Sequence, residues 1–297
     1  MIIICYHGVS NEKKHPIINF NGKHINLKTF NKQIKYISNK CNPISMEQVY
    51  FNLKNKQPFK KKSVCVTFDD GFKNNFKFAT KVLKKYNVPA IFYLCPGLIN
   101  KKEMFWVDKI EASIAFSKEK KINFFFLKEN YSFNISNIKK KKETIKNIKK
   151  ICKRLPDKDK DIVIKKIVYS TKVKPSQKLH NDYRILSWKE IRQIIKDKLF
   201  DIGGHSMKHS IFTNMNAKEI DQDIKKTKKI IFKNTSIRIK HFSYPEGKSN
   251  KSVENLMKKN GILTCPIASG KANNHFQNPY NLKRIMVGFD SIKFPYE

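Results

Sequence analysis

Two neighbouring carboxylates, Asp69 and Asp70, stand within the stretch "VTFDDGF", and far downstream "GGHSMKHS" sets His205 and His209 four residues apart. Imidazoles at that spacing share one face of a helical turn. Two histidines and one carboxylate are a frequent ligand set for a catalytic zinc that keeps one position open. A second carboxylate beside the ligand one is then free to act as general base. Each piece alone is ordinary. Asp-Asp-Gly after a strand is most often a turn, and the HxxxH spacing is common by chance. His7, which follows "IIICY", and the turn Pro245-Glu246-Gly247, which follows "KHFSY", add a third imidazole and a backbone corner.

These residues share a position relative to the elements around them. Strand-like runs occur at 2–6, 42–45, 63–68, 89–94, 199–204, 240–244, 262–266 and 284–287, and several are apolar without alternation, as in strands buried on both faces. Helical patterns separate most of them. Capping boxes are expected at Ser45/Gln48, Ser187/Glu190 and Asn216/Glu219, with left-handed C-terminal caps at Asn87 and Gly261. Strand then helix, repeated about seven times, predicts an α/β fold, a (β/α) barrel whose strand ends gather a site on one rim. Residues from about 108 to 178 break the rhythm with a hairpin pattern, "INFFFL" then "YSFNIS", and a lysine-rich helical run. They read as a mostly helical insertion in a single domain spanning 1–297.

Composition narrows the classes of partner. The chain has 297 residues and a formal charge of +38, yet only five basic residues are arginine: Arg154, Arg184, Arg192, Arg238 and Arg284. Bidentate recognition of phosphate or bases favours arginine, so no specific nucleic acid is expected. The joint excess of Lys, Asn, Ile and Phe is what an AT-rich coding sequence gives without any partner; as a functional surface, the lysines would suit peripheral contact with an anionic membrane or glycolipid. The six cysteines form no CxxC pair, and the amino terminus lacks the features of a secretory segment. The expected compartment is the cytoplasm, including its membrane periphery.

"TFDDG" (67–71), "HSMKH" (205–209) and "FSYPEG" (242–247) resemble, in this order, the first three motifs of the polysaccharide deacetylases. This is carbohydrate esterase family 4, with the NodB, or chitooligosaccharide deacetylase, homology domain. "YHGVS", "VPAIFYL" and "LKRIMV" are similar to members as well. The resemblance implies a distorted (β/α) barrel and metal-dependent removal of acetyl from N-acetylated sugars of a polysaccharide, lipopolysaccharide precursor or other glycan. It implies Asp69 as base, Asp70, His205 and His209 as metal ligands, and a backbone N–H of the third motif, that of Glu246, at the oxyanion. Zinc is the expected ion; cobalt, nickel, manganese and iron also suit such a set.

The chain departs from the family pattern in three places. Ser243 stands where many members have an arginine that orients the base, which leaves that task to Arg284 or Lys248. Glu246 replaces the usual aromatic. No late LxH acid motif is visible, so His7 is expected as the acid, with His275 second. Two other readings compete: a glycan-binding protein with a decayed site, and a basic protein that binds polyanions or membrane surfaces.

Overall fold

The computed structural model describes residues 1–268, 278–288 and 294–295. Its strands in chain order are β1 (Ile2–Tyr6), β2 (Gly8–Ser10), β3 (His24–Asn26), β4 (Asn42–Pro43), β5 (Ser63–Phe68), β6 (Ala90–Leu94), β7 (Lys121–Phe126), β8 (Glu129–Asn134), β9 (Phe200–Gly204), β10 (Pro266–Ala268) and β11 (Leu282–Met286). Seven of them make one parallel sheet in the order β10-β11-β1-β5-β6-β9, with β4 paired to the first residues of β5. Parallel neighbours require crossovers. Helices such as Leu27–Lys40, Thr80–Lys85, Ala217–Thr235 and Lys251–Lys259 supply them.

The sheet curls back on itself through two single parallel bridges, Gly204 with Phe242 and His241 with Thr264, and so forms a distorted (β/α) barrel. The expected strand at 240–244 is reduced to these bridges, and that at 262–266 to the Thr264 bridge and the first residue of β10. Pro245, which has no N–H to donate, cuts the first ladder short. Close approach at the seam needs Gly204, where a Cβ would stand 2.5 Å from the Phe242 ring.

Register sets what each face carries. Tyr6 pairs with Phe68 and Phe68 with Phe92. Their rings stack across the strands at 5.4 and 4.9 Å between centroids. Cys5 pairs with Thr67 on the opposite face. Because side chains alternate, Asp69 shares the face of Thr67, and His7 that of Cys5. One face thus carries an aromatic ladder and the other a polar one.

The capping expectations are met in large part. Ser187 with Glu190 and Asn216 with Glu219 form complete capping boxes. At Ser45 only half forms, because the Gln48 amide donates to Asn52 instead. Asn87 and Gly261 take the left-handed conformation that ends their helices.

Two compact units divide the chain. The barrel unit comprises Met1–Asn11, Asn21–Lys101 and the stretch from Ile185 onward; the second comprises Glu12–Phe20 and Lys102–Arg184. The second has its own core, with Ile17, Trp106, Ile110, Ile122, Ile145, Ile148 and Ile167 among its buried residues. Its hairpin β7–β8 turns at Leu127 and Lys128, both left-handed, the geometry that two-residue hairpin loops favour. No helix among the described residues is long and apolar enough to cross a membrane.

Candidate active site

The end of β5 explains how adjacent carboxylates do different things. Asp69 N–H donates to Tyr6 O, and Gly71 N–H turns back to Asp69 O at 2.9 Å. Asp70, between them, is left-handed at φ 74°. A two-residue hydrogen bond around such a residue is a rare, strained γ-turn. The turn aims Asp69 along the polar face of the sheet and Asp70 toward the end of β9.

The two histidines arrive there on a turn. The sequence expectation of a helical turn fails, since Ser206 and His209 are left-handed, at φ 58° and 62°. Three ties shape the loop. Met207 N–H donates to both carboxylate oxygens of Asp223, at 3.0 and 3.1 Å. Ser210 N–H donates to Ser206 Oγ, and Gly97 N–H to Met207 O. The imidazoles nonetheless meet, with ring centroids 4.9 Å apart.

Asp70 Oδ1 lies 3.5 Å from Nε2 of His205 and 3.5 Å from Nε2 of His209. Donors each about 2.1 Å from a tetrahedral ion stand about 3.4 Å apart, so this set fits such an ion. Tautomer fits as well. His205 Nδ1 is 2.8 Å from Ser243 O, a group that only accepts, so Nδ1 carries the proton and Nε2 keeps its lone pair. Burial, opposed by Asp69, lowers the His205 pKa and favours this neutral form, whose Nε2 could hold a metal.

Asp69 is anchored from the opposite side. Arg284, in the middle of β11 and fully buried, donates Nη1 to Oδ1 at 2.8 Å and Nη2 to Oδ2 at 2.6 Å. The same guanidinium donates to Thr67 Oγ1 and Ser243 Oγ, and Ser243 Oγ donates to Asp69 Oδ2 at 3.3 Å. The Asp69 carboxylate is therefore oriented by Arg284, and among the described contacts the exposed Lys248 takes no part in this. Burial would raise the Asp69 pKa, but the Arg284 charge, followed by that of His205, holds it well below the usual carboxylate range. Removing Arg284 would strand a buried charge, at a cost of about 3–5 kcal/mol.

His7 joins this group. A ring nitrogen of His7, Cys5 Sγ and an Asp69 oxygen lie within 4.8 Å of one another. Burial pushes the His7 imidazole down to about 3; Asp69 pulls against this, and Lys23 and Arg284 reinforce it. His7 is thus neutral at rest. Glu246 sits left-handed at φ 57° in the turn Pro245–Gly247, with its charge felt at His205. His275 lies outside the described residues.

Four non-glycine residues of the site, Asp70, Ser206, His209 and Glu246, take the left-handed conformation, a strain of the kind found where function fixes geometry. Sequence reasoning missed Asp223 and Cys5. A carboxylate on a helix face and a cysteine in an apolar strand give no signal of their own.

The model of the polysaccharide deacetylase family matches residues 56–265, well over half of the chain. No curated protein matches it. Solved structures share the fold: IcaB from Ammonifex degensii (16% identity, TM-score 0.64, covering 98% of this chain and 92% of that one); the deacetylase PplD of Streptococcus pyogenes (15%, 0.64, 97% and 92%); and the BpsB deacetylase domain from Bordetella bronchiseptica (14%, 0.56, 96% and 95%). With the family motifs at the ends of β5 and β9 and in the 242–247 segment that bridges to β9, the chain belongs to the polysaccharide deacetylase family and is a hydrolase that removes acetyl groups from N-acetylated glycans.

Proposed function

We propose that Asp70, His205 and His209 hold one divalent ion and that Asp69 is the general base of the deacetylation. The observation that carries this reading is the pair of 3.5 Å separations from Asp70 Oδ1 to the two imidazoles, with the Asp69 carboxylate next in the chain and clamped by Arg284. An ion in that place supplies Lewis acidity, which polarises the acetyl carbonyl and acidifies water. Zinc suits two imidazoles and a carboxylate best, and cobalt, nickel, manganese or iron are the alternatives.

Asp69 takes the proton of the attacking water. Arg284 keeps its carboxylate ionised and fixed, so little reorganisation is needed in the transition state. His7, neutral at rest, is within reach of Asp69; it accepts that proton and delivers it to the departing amine nitrogen as the carbon–nitrogen bond breaks. The backbone N–H of Glu246 is assigned to the carbonyl oxygen as it gains charge, and the strained turn there supports the assignment. Replacement of the third-motif arginine by Ser243 does not argue for a decayed site, because Arg284 reaches Asp69 from β11.

The substrate is an N-acetylhexosamine in a polysaccharide, lipopolysaccharide precursor or other glycan. Metal analysis of the purified protein, with an acetate-release screen over N-acetylated glycans and nucleotide-linked sugars, tests the whole reading. A metal-free protein that releases acetate at full rate would refute it.

The second unit supports a further role at surfaces. Its lysine-rich helix Ile138–Cys152 and the exposed Phe125 (55%) and Leu127 (66%) of the hairpin combine charge with apolar side chains, a combination that suits an anionic membrane or glycolipid. Sedimentation with anionic vesicles, reversed by salt, checks it. The cytoplasm is the proposed compartment, a reading supported by five buried cysteines that form no disulfide, Cys5, Cys65, Cys95, Cys152 and Cys265.

A further inference from the structure

Cys5 belongs to this barrel's polar face without a part in the chemistry above. It precedes His7 by two residues, pairs in register with Thr67 and directs its thiol at Asp69 Oδ2, 3.6 Å away. With His7 and Asp69 it forms a set of sulfur, nitrogen and oxygen donors within 4.8 Å, and that set shares no residue with Asp70, His205 and His209.

We propose that Cys5, His7 and Asp69 are a second metal site, which takes a thiophilic divalent ion such as Zn²⁺ or Cd²⁺ and arrests turnover when filled. Geometry supports the pairing of sulfur with oxygen. A tetrahedral ion about 2.3 Å from sulfur and about 2.1 Å from oxygen holds the two about 3.6 Å apart, the separation already present between Cys5 and Asp69. The ion would take the place of the thiol proton, which leaves for solvent: thiol plus M²⁺ gives metal thiolate plus H⁺. Cys5 is fully buried, while His7 is partly exposed, so entry is from the His7 side.

Charge ranks the two sites. Arg284 Nη2, 2.6 Å from Asp69 Oδ2, repels a cation there, as does an ion on Asp70. The Cys5 site therefore fills after the Asp70 site, held mainly by sulfur and imidazole. Such a donor set selects zinc and cadmium over magnesium and manganese. Once filled, it occupies the carboxylate assigned as base and the imidazole assigned as proton carrier. The binding claim stands by itself; the arrest of turnover rests on those assignments.

The test is titration of the metal-free full-length protein with Cd²⁺, followed by calorimetry and by the ultraviolet thiolate-to-cadmium charge-transfer band. The expected result is a first equivalent without the band and a second, weaker one with it. Cys5→Ser should keep the first equivalent and lose both the second and the band; Cys5→Ala serves if the serine variant does not fold. Asp70→Asn should lose the first equivalent and keep the band, which separates failure of the Asp70 assignment from failure of this one. In acetate release, excess Zn²⁺ should slow the wild type by about 10²-fold or more, the share a general base carries, and leave the rate of Cys5→Ser flat. A band that survives in both Cys5 variants, a wild type with one equivalent only, or equal zinc inhibition in wild type and variant would overturn the proposal.

Discussion

Both carboxylate oxygens of Asp69 are held by the two terminal nitrogens of Arg284, at 2.8 and 2.6 Å, in a pair closed to solvent. A lysine cannot reproduce that fork. Arg284→Lys should lower kcat/KM by about 10²-fold or more as the base loses its aim. The sign of the pH effect follows from the depressed Asp69 pKa, whose ordinary value is 3.8. A carboxylate whose folded pKa is lowered contributes stability above its unfolded pKa and loses it as pH falls through the folded one. In the wild type the pair therefore holds until strongly acid pH, and Asp69 does not set the acid limb of activity. In the lysine variant that limb should move up in pH. Rate profiles and acid denaturation of the two proteins check both statements.

Asp69→Asn keeps the shape and removes the carboxylate proposed as the base. Turnover should drop by about 10²–10⁴-fold, while the first, tighter equivalent of metal is retained, because Asp70, His205 and His209 are untouched. Loss of that first equivalent together with activity would place Asp69 among its ligands instead.

Much of this site was legible because strand patterns are local. "IIICY", "SVCVTF" and "LFDIGG" are apolar runs, and the residues after them had to reach one rim. Arg284 was legible in part: with Ser243 in place of the third-motif arginine, the task of orienting Asp69 falls to Arg284 or Lys248, and the sequence alone does not choose between them. The loop 205–209 was misread because no glycine or proline marks its left-handed residues, Ser206 and His209; Asp223, on a distant helix, provides the tie instead. Glu12–Phe20 joins the second unit, although no periodicity in that stretch announces it.

Asp223 should therefore act on metal affinity. With Asp223→Ala, Met207 N–H loses both of its acceptor oxygens and the Thr227 hydroxyl loses one. The loop between the two histidines then samples wider geometry. Metal affinity should fall about 10–100-fold, as for other groups that orient ligands, while the rate at saturating metal changes little. Competition with a chromogenic chelator measures the first effect and acetate release the second.

Stripping the ion with a chelator should abolish acetate release, and zinc should restore it. It should also lower the melting temperature, because an ion that binds only the folded chain stabilises it by RT ln(1 + [L]/Kd), about 2.7 kcal/mol at a hundredfold excess over Kd. In a Cys5→Ser background, where only the Asp70 site takes the ion, His205→Ala and His209→Ala should each lose that zinc-dependent rise. A metal-dependent rise that persists in both would move the ion elsewhere.

His7 gives the sharpest test of the proton path, because its imidazole, pushed down to about 3 by burial, stores no proton at neutral pH. It can serve the leaving amine only by first receiving the proton that Asp69 takes from water. Its loss should therefore matter in proportion to how badly the leaving group needs that proton. His7→Gln should slow release from an N-acetyl sugar by about 10²–10⁴-fold, yet slow an activated aryl acetate far less, since a phenolate leaves unprotonated. If both substrates slow equally, His7 acts before the carbon–nitrogen bond breaks and is not the proton donor.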